Sequence, residues 1–250
     1  MKINKFTKQK NGMYKIQFED NSSILAHEDI ILKYELLIKK EVTEKEEEII
    51  LKENIIYEGY DQAIKYITKK MRSKKEIIKY LESKELDKEN IEKIIEILNR
   101  NGYINDESYA EVYINDRILL SNDGPSKIKK YLLENGIDRN IIEEKIKIFK
   151  RNDELEKIEK IIHKMKNANR NKSAYVLKNK IVDYLSNLGY DKSTILESLD
   201  NYKFENSNEL MKKEYDKAYK KLSKKYSGKE LEYKLKQKMY SLGFYDFTAE

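Results

Sequence analysis

The stretch KKMRSKKEIIKYL, residues 69–81, carries six basic side chains and one acid. Cations at that density attract phosphate, and tyrosines set between them can stack on bases, the combination a single-strand groove uses. Three such sets occur: Lys69, Lys70, Arg72, Lys74 and Lys75; Lys127, Lys129 and Lys130; and the lysines of 212–238, among them Lys220, Lys221, Lys224 and Lys225. Tyr66, Tyr80, Tyr131, Tyr215, Tyr219 and Tyr226 interleave with them. Two readings stand side by side, contact with a polyanion or a solvated lysine face. Tyr80 and Tyr131 also adjoin a repeated leucine, which suits them to lining a core. The six arginines, Arg72, Arg100, Arg117, Arg139, Arg151 and Arg170, are too few and scattered to suggest sequence-specific reading of bases.

Catalytic chemistry is hard to assemble from this chain. It has no cysteine, so thiol catalysis, disulfides and cysteine-bound zinc are excluded. His27 and His163 are the only histidines, and neither has a carboxylate at ligand spacing. Both read as surface or capping residues rather than as acid–base groups. Eight scattered glycines build no phosphate-cradling loop. Acidic pairs such as Asp106-Glu107 and Glu143-Glu144 are what this composition produces anyway. No catalytic residue, metal set or cofactor is expected, and an enzyme is the least supported class.

Charge is unevenly spread over the 250 residues. The chain carries a net +6, yet residues 1–60 hold 10 lysines against 12 acids. Residues 212–238 hold 11 lysines against 4 acids, a net +7. A basic C-terminal region invites DNA, RNA or an acidic protein surface. The N-terminus MKINKFTKQK lacks the apolar core of a signal peptide, and no apolar run is long enough for a membrane span. The cytoplasm is therefore the default compartment, with no membrane partner.

The elements that must carry these residues fall into two kinds. Residues 2–26 alternate with β period and contain the turn dipeptides Asn11-Gly12 and Asp20-Asn21, which predicts a three-stranded meander. A short helix is expected over His27–Tyr34. Beyond Thr43 the apolar spacing is helical, as in Ile91, Ile94, Ile95 and Leu98. Helices are expected near 44–70, 74–84, 88–101, 106–120, 125–135, 139–150, 153–168, 173–188, 192–200, 208–226 and 228–241. Gly59 is placed to break the first.

An internal repeat organises this helical part. YLESKELDKENI (80–91), YLLENGIDRNII (131–142) and YLSNLGYDKSTI (184–195) share Tyr-Leu, a connector, an apolar residue and Asp. The leucines are 81, 132 and 185, and a degenerate copy, MYSLGFYDF (239–247), puts Met239 in that position. The period of 51 to 54 residues accommodates three short helices. Gly136 and Gly189 suit a left-handed helix end, and Asp87, Asp138 and Asp191 suit the next N-cap. Glu85 replaces the glycine in the first copy, so that turn must differ or carry strain. Ser73-Lys-Lys-Glu76 and Ser227-Gly-Lys-Glu230 read as capping boxes, and Gly124-Pro125 as another helix start. The expected fold is mainly α: tandem three-helix repeats forming an elongated curved array, with a small N-terminal β element. Expected boundaries are 1–42, 43–103, 104–151, 152–203 and 204–250.

These residues resemble a known family. Ala63-x-x-Tyr66 followed by Arg72-Ser73-Lys-Lys-Glu76-Ile-Ile-x-Tyr-Leu81 is one part of the pattern. Gly102-Tyr103-Ile-Asn-Asp106-x-x-Tyr-Ala110-x-x-Tyr113-Ile-x-x-Arg117 and Gly124-Pro-Ser-Lys-Ile-x-x-Tyr-Leu132-x-x-x-Gly136-Ile137-Asp complete it. Together they resemble the RecX family, regulators of the RecA recombinase. The N-terminus ending in HEDIILKY (27–34) is similar to the longer Gram-positive versions. The resemblance implies tandem three-helix repeats and no catalysis. It implies binding in the groove of the RecA–single-stranded DNA filament and modulation of its growth, ATP hydrolysis, strand exchange and SOS coprotease activity, usually as an inhibitor. Departures are Glu85, where glycine is common, and the degenerate fourth copy.

On this reading Arg72, Arg117, Lys127 and Lys130 face the filament, the 212–238 lysines, among them Lys220, Lys221, Lys224 and Lys225, approach DNA or an acidic rim, and Lys74, Lys75 and Lys129 are further candidates for partner or DNA contact. For Arg72 and Arg117 an inter-helix salt bridge is the competing reading. The competing functions are a general single-stranded nucleic-acid-binding protein acting without RecA, and an adaptor for an unrelated acidic protein. DNA, single- or double-stranded, is a possible direct partner, and an elongated monomer is the default state.

Overall fold

The computed structural model describes residues 1–10 and 12–245. β1 (Ile3–Lys8), β2 (Met13–Phe18) and β3 (Ser23–His27) form an antiparallel sheet in that order, as the alternation predicts. Gly12 and Asn21 take left-handed φ values of 68° and 69° in the two turns, while Asn11 lies outside the described residues. A three-stranded sheet cannot bury a core alone. Its inner residues Ile16, Phe18, Ile24 and Ala26 are covered by α1 (Glu28–Lys33), α2 (Leu36–Lys39) and the start of α3 (Glu44–Ile67) through Ile30, Leu36 and Ile50. The four-residue α2 has too few residues for a readable period and is not expected from the sequence.

The open edge of β3 is closed by one side chain. Asn54 on α3 accepts a hydrogen bond from the His27 N–H at 2.9 Å and donates to the Leu25 carbonyl at 2.5 Å. A single amide thus stands in for a fourth strand at the point where unpaired backbone groups would cost most. His27 does cap α1, accepting from the Asp29 N–H at 3.3 Å, but it is buried and stacked on Tyr57 rather than on the surface.

α3 does not break at Gly59. A Cβ there would meet Ile94 Cδ1 at 2.5 Å and Leu86 Cδ1 at 3.0 Å. The glycine lets α3 pass close to α5 (Lys88–Arg100), and tertiary packing overrides its poor helix propensity. α3 therefore serves the sheet with its first half and α4 (Lys74–Glu82) and α5 with its second, where Ala63, Ile77, Leu81, Ile94 and Leu98 form a core.

The remaining helices are α6 (Asp106–Leu120), α7 (Pro125–Glu134), α8 (Arg139–Lys145), α9 (Arg151–Ala168), α10 (Ala174–Asn187), α11 (Lys192–Asp200), α12 (Asn208–Leu222) and α13 (Gly228–Ser241). The helix expected over 139–150 ends at Lys145 and tightens into a 3-10 turn, Ile146–Ile148, before Lys150 turns extended and opens α9. The chain forms two compact units, Met1–Ala110 with Leu132–Ile142, and Glu111–Tyr131 with the chain from Glu143 onward. In the second, Ile158, Ile162, Leu177, Ile181, Leu185 and Ile195 form the main core of α9 to α11. Among the described residues no helix is long and apolar enough to cross a membrane.

The repeat turns follow the expected chemistry. Asp87, Asp138 and Asp191 accept backbone N–H bonds at 2.8, 2.7 and 2.9 Å from Asn90, Asn140 and Ser193. Gly136, Gly189 and Gly243 are left-handed, with φ of 82°, 89° and 83°. Glu85 adopts the same conformation at φ 61°, so the first copy keeps the turn and carries roughly 1–2 kcal/mol of strain for it. Ser227 departs from expectation. It makes no side-chain cap bond: its φ is −138°, far from the −72° and −61° of the capping Ser73 and Ser173, and left-handed Gly228, φ 54°, redirects the chain that follows.

Three junctions repeat one arrangement. The end of α7 meets the start of α4, where Lys75 Nζ donates to the Glu134 carbonyl at 2.7 Å. The end of α10 meets the start of α7, where the Gly124 and Ser126 N–H groups donate to the Leu188 and Gly189 carbonyls at 2.7 and 3.0 Å. The end of α13 meets the start of α10, where Ser173 Oγ donates to the Leu242 carbonyl at 2.6 Å. Orphan carbonyls of one helix end are thus satisfied by the helix start of the preceding repeat.

Candidate functional site

The opening cationic run is organised around the start of α4. Ser73 Oγ accepts the Glu76 N–H at 3.2 Å and Glu76 Oε2 accepts the Ser73 N–H at 2.9 Å, a complete capping box. Glu76 Oε1 holds Arg72 Nη1 at 3.2 Å, and the Tyr109 hydroxyl donates to Oε2 at 3.1 Å. Burial pushes the Glu76 carboxyl up, but the bonds from the Ser73 backbone, Arg72 and Tyr109 outweigh it and hold it below the usual glutamate value. The Arg72 guanidinium lies 4.2 Å from the Tyr66 ring, which stacks on Tyr80 at 4.2 Å and 5°.

The second repeat rebuilds this set with other residues. Arg117 lies over Tyr113 at 5.2 Å, and Tyr113 stacks on Tyr131 at 4.3 Å and 8°. Burial pushes the Tyr113 hydroxyl up to about 12, against the pull of Arg117. Asp123 takes Lys127 Nζ at 2.7 Å on one oxygen and Arg117 Nη1 at 3.8 Å on the other. The cap pair that is Arg72–Glu76 in the first repeat is Asp123–Lys127 in the second, with its signs exchanged. Spacing alone shows that Tyr80 and Tyr131 share a repeat position. Their partners Tyr66 and Tyr113 lie at different distances along the chain and are not legible from it.

The other candidates are spread out. Lys74 is exposed and opposes the burial that raises the Asp106 carboxyl. Lys75 is engaged with Glu134, and Lys129 Nζ meets Glu143 Oε2 at 2.6 Å. Lys130 is exposed on α7. Lys220 and Lys221 sit in the last turn of α12 and Lys224 and Lys225 just beyond it; all four are exposed. Among the described residues no cluster of carboxylates and histidines has the makings of a metal site.

Repeated three-helix units, with a cation–tyrosine–tyrosine stack in each of the first two, define a helical-repeat scaffold whose exposed side chains are mostly charged. Family models described as RecX, first three-helix domain, and RecX, second three-helix domain, match residues 60–98 and 105–146. "Regulatory protein RecX" of Lactococcus lactis subsp. cremoris is 32% identical over 246 residues, 95% of this chain and 91% of that protein. The protein of the same name from Streptococcus sanguinis is 31% identical over 253 residues, 99% and 96% of the two chains. The chain belongs to the RecX family. A crystal structure of RecX from Lactobacillus salivarius, 31% identical, covers 59% of this chain and 98% of its own with a TM-score of 0.54. Another crystal structure of regulatory protein RecX, 24% identical, covers 80% of this chain and 98% of its own at a TM-score of 0.72 and shares the fold.

Proposed function

We propose that this chain is a non-enzymatic, cytoplasmic regulator of RecA that binds as a monomer in the groove of the RecA–single-stranded DNA filament and inhibits it. The observation that carries the reading is the recurrence of one three-helix unit along the chain, with exposed lysines on its copies. Such an array suits a partner that repeats its own subunits, because many weak contacts then add through effective concentration. Recombination, ATP hydrolysis and SOS coprotease activity are the outputs it would modulate. Arg72 and Arg117 would shape the scaffold, and the exposed Lys74, Lys130, Lys220, Lys221, Lys224 and Lys225 would meet the filament or its DNA.

The test is titration of the protein into a preformed RecA–single-stranded DNA filament, following ATP hydrolysis at two salt concentrations. Loss of hydrolysis at substoichiometric protein supports the reading. Unchanged hydrolysis with tight, salt-sensitive binding to bare DNA replaces it with a general single-strand-binding protein acting without RecA.

A further inference from the structure

Between Glu159 and Asp183 the chain contains no acid. Lys160 at its start pairs with Glu156 at 3.5 Å; the rest of the stretch covers the end of α9, the turn 169–173 and most of α10, and it carries Lys164, Lys166, Arg170, Lys172, Lys178 and Lys180. Four of these six meet neutral partners. Lys166 Nζ donates to the Lys203 carbonyl at 2.6 Å and lies over the Tyr202 and Phe204 rings at 5.7 and 5.2 Å. Lys178 lies over Phe204 at 5.2 Å, Lys180 donates to Asn169 Oδ1 at 2.7 Å, and Arg170 reaches Asn167 Oδ1 at 3.5 Å. Lys164 and Lys172 are exposed. Among the described residues none of the six has a carboxylate within ion-pair distance. Arg72, Lys127, Lys129, Lys145 and Arg151 all do.

The helix start explains the difference. Ser173 caps α10 as Ser73 caps α4, but the residue three positions on is Val176 rather than a glutamate. Lys172, the counterpart of Arg72, therefore has no cap carboxylate to pair with. Like charges on one acid-free segment repel one another, and a polyanion relieves that cost by releasing its own counterions. Beside them Tyr175 leaves 49% of its surface exposed, its ring set at 84° to that of Tyr245 with centroids 5.0 Å apart.

We propose that the turn between α9 and α10, with Lys164, Arg170, Lys172 and Lys180 at its surface and Tyr175 beside them, is a contact site for the backbone and bases of single-stranded nucleic acid. The uncompensated cations take the phosphates, and the exposed ring offers a stacking face that an unpaired base can use and a duplex cannot.

The experiment uses the full chain without RecA, so its outcome is separate from that of filament regulation. Binding to a labelled single-stranded oligonucleotide and to a duplex of the same length is measured across a salt series. In a triple variant, Lys164→Gln, Arg170→Gln and Lys172→Gln, the slope of log affinity against log salt for the single strand should fall by about 2. Tyr175→Ala should weaken the single strand by about tenfold or more and leave the duplex unchanged. Circular dichroism confirms that both variants fold, and Tyr175→Phe, which keeps a stacking ring, should restore the lost affinity. An unchanged slope in the triple variant, with a reduced slope in Lys220→Gln, Lys221→Gln and Lys224→Gln, would overturn the proposal. So would equal loss of single-strand and duplex binding on replacing Tyr175.

Discussion

Arg72 and Lys172 stand one residue ahead of serines that cap equivalent helices, and their surroundings are opposite. Arg72 is held by Glu76 and pressed on Tyr66. Lys172 is exposed, and the position corresponding to Glu76 is Val176. Gly124 lies between them in the series, with Asp123 and Lys127 forming the same cap pair at reversed polarity. Lysine and arginine counts would score all three helix starts as cationic. The three starts differ in whether a carboxylate lies four residues from the cation: one does at Arg72 and at Lys127, and none does at Lys172.

The comparison can be broken most severely at the middle helix start. A Cβ on Gly189, whose φ is 89°, would lie 2.5 Å from Lys127 N and 2.6 Å from Lys127 Cβ. Gly189→Ala should cost roughly 3 kcal/mol or more through backbone strain and overpacking, read as a lowered urea midpoint. An unchanged midpoint would mean that the α10–α7 junction is not built as described.

Glu76→Ala comes next. It removes the capping box, the Arg72 ion pair and the acceptor of the Tyr109 bond, at a cost of about 2–3 kcal/mol by the same measurement. The pH dependence follows from the depressed Glu76 carboxyl. Its contribution is present above the ordinary value of 4.5 and is lost as the pH falls through the lower folded-state value. The stability gap between wild type and Glu76→Gln should therefore close on acidification below that value and stay open at neutral pH.

Asp123→Ala should cost less, about 1 kcal/mol. Lys127 is half exposed and Arg117 sits 3.8 Å away, so the cations facing Asp123 are better solvated or more distant than Arg72 is from Glu76, and no capping box is lost. A loss equal to that of Glu76→Ala would show that the reversed pair is just as structural.

The smallest effect sharpens the comparison furthest. Val176→Glu places a cap carboxylate beside Lys172, and the salt slope for single-stranded oligonucleotide should fall by about 0.7, the share of one phosphate contact. A slope that does not move would mean that Lys172 takes no part in the contact.

Much of this fold is legible in the chain because its signals are local. The Gly136 and Gly189 turns, the Asp87, Asp138 and Asp191 caps, and the Ser73 capping box each depend on a few consecutive residues. Alternation over 2–26 is enough to lay out the sheet. What is not legible is non-local. Gly59 looks like a breaker until Ile94 is seen against it, and Gly124 looks like a simple cap until Gly189 meets it across 65 positions. The Ser227 box fails at the backbone of Ser227 and Gly228, which no motif encodes. Among the candidate cations, the lysines of 212–238 attract notice by number. The acid-free segment after Glu159 has fewer and stands out only once each charge's partner is known.

The head-to-tail junctions also set an order of events during synthesis. The Gly124 and Ser126 N–H groups find their acceptors only when Leu188 and Gly189 have emerged, and Ser173 finds its acceptor only at Leu242. Each repeat is therefore finished by the one translated after it. A ribosome that stalls before Leu188 holds a helix start at Gly124 that is still unsealed, and residues made later complete structure laid down well before them.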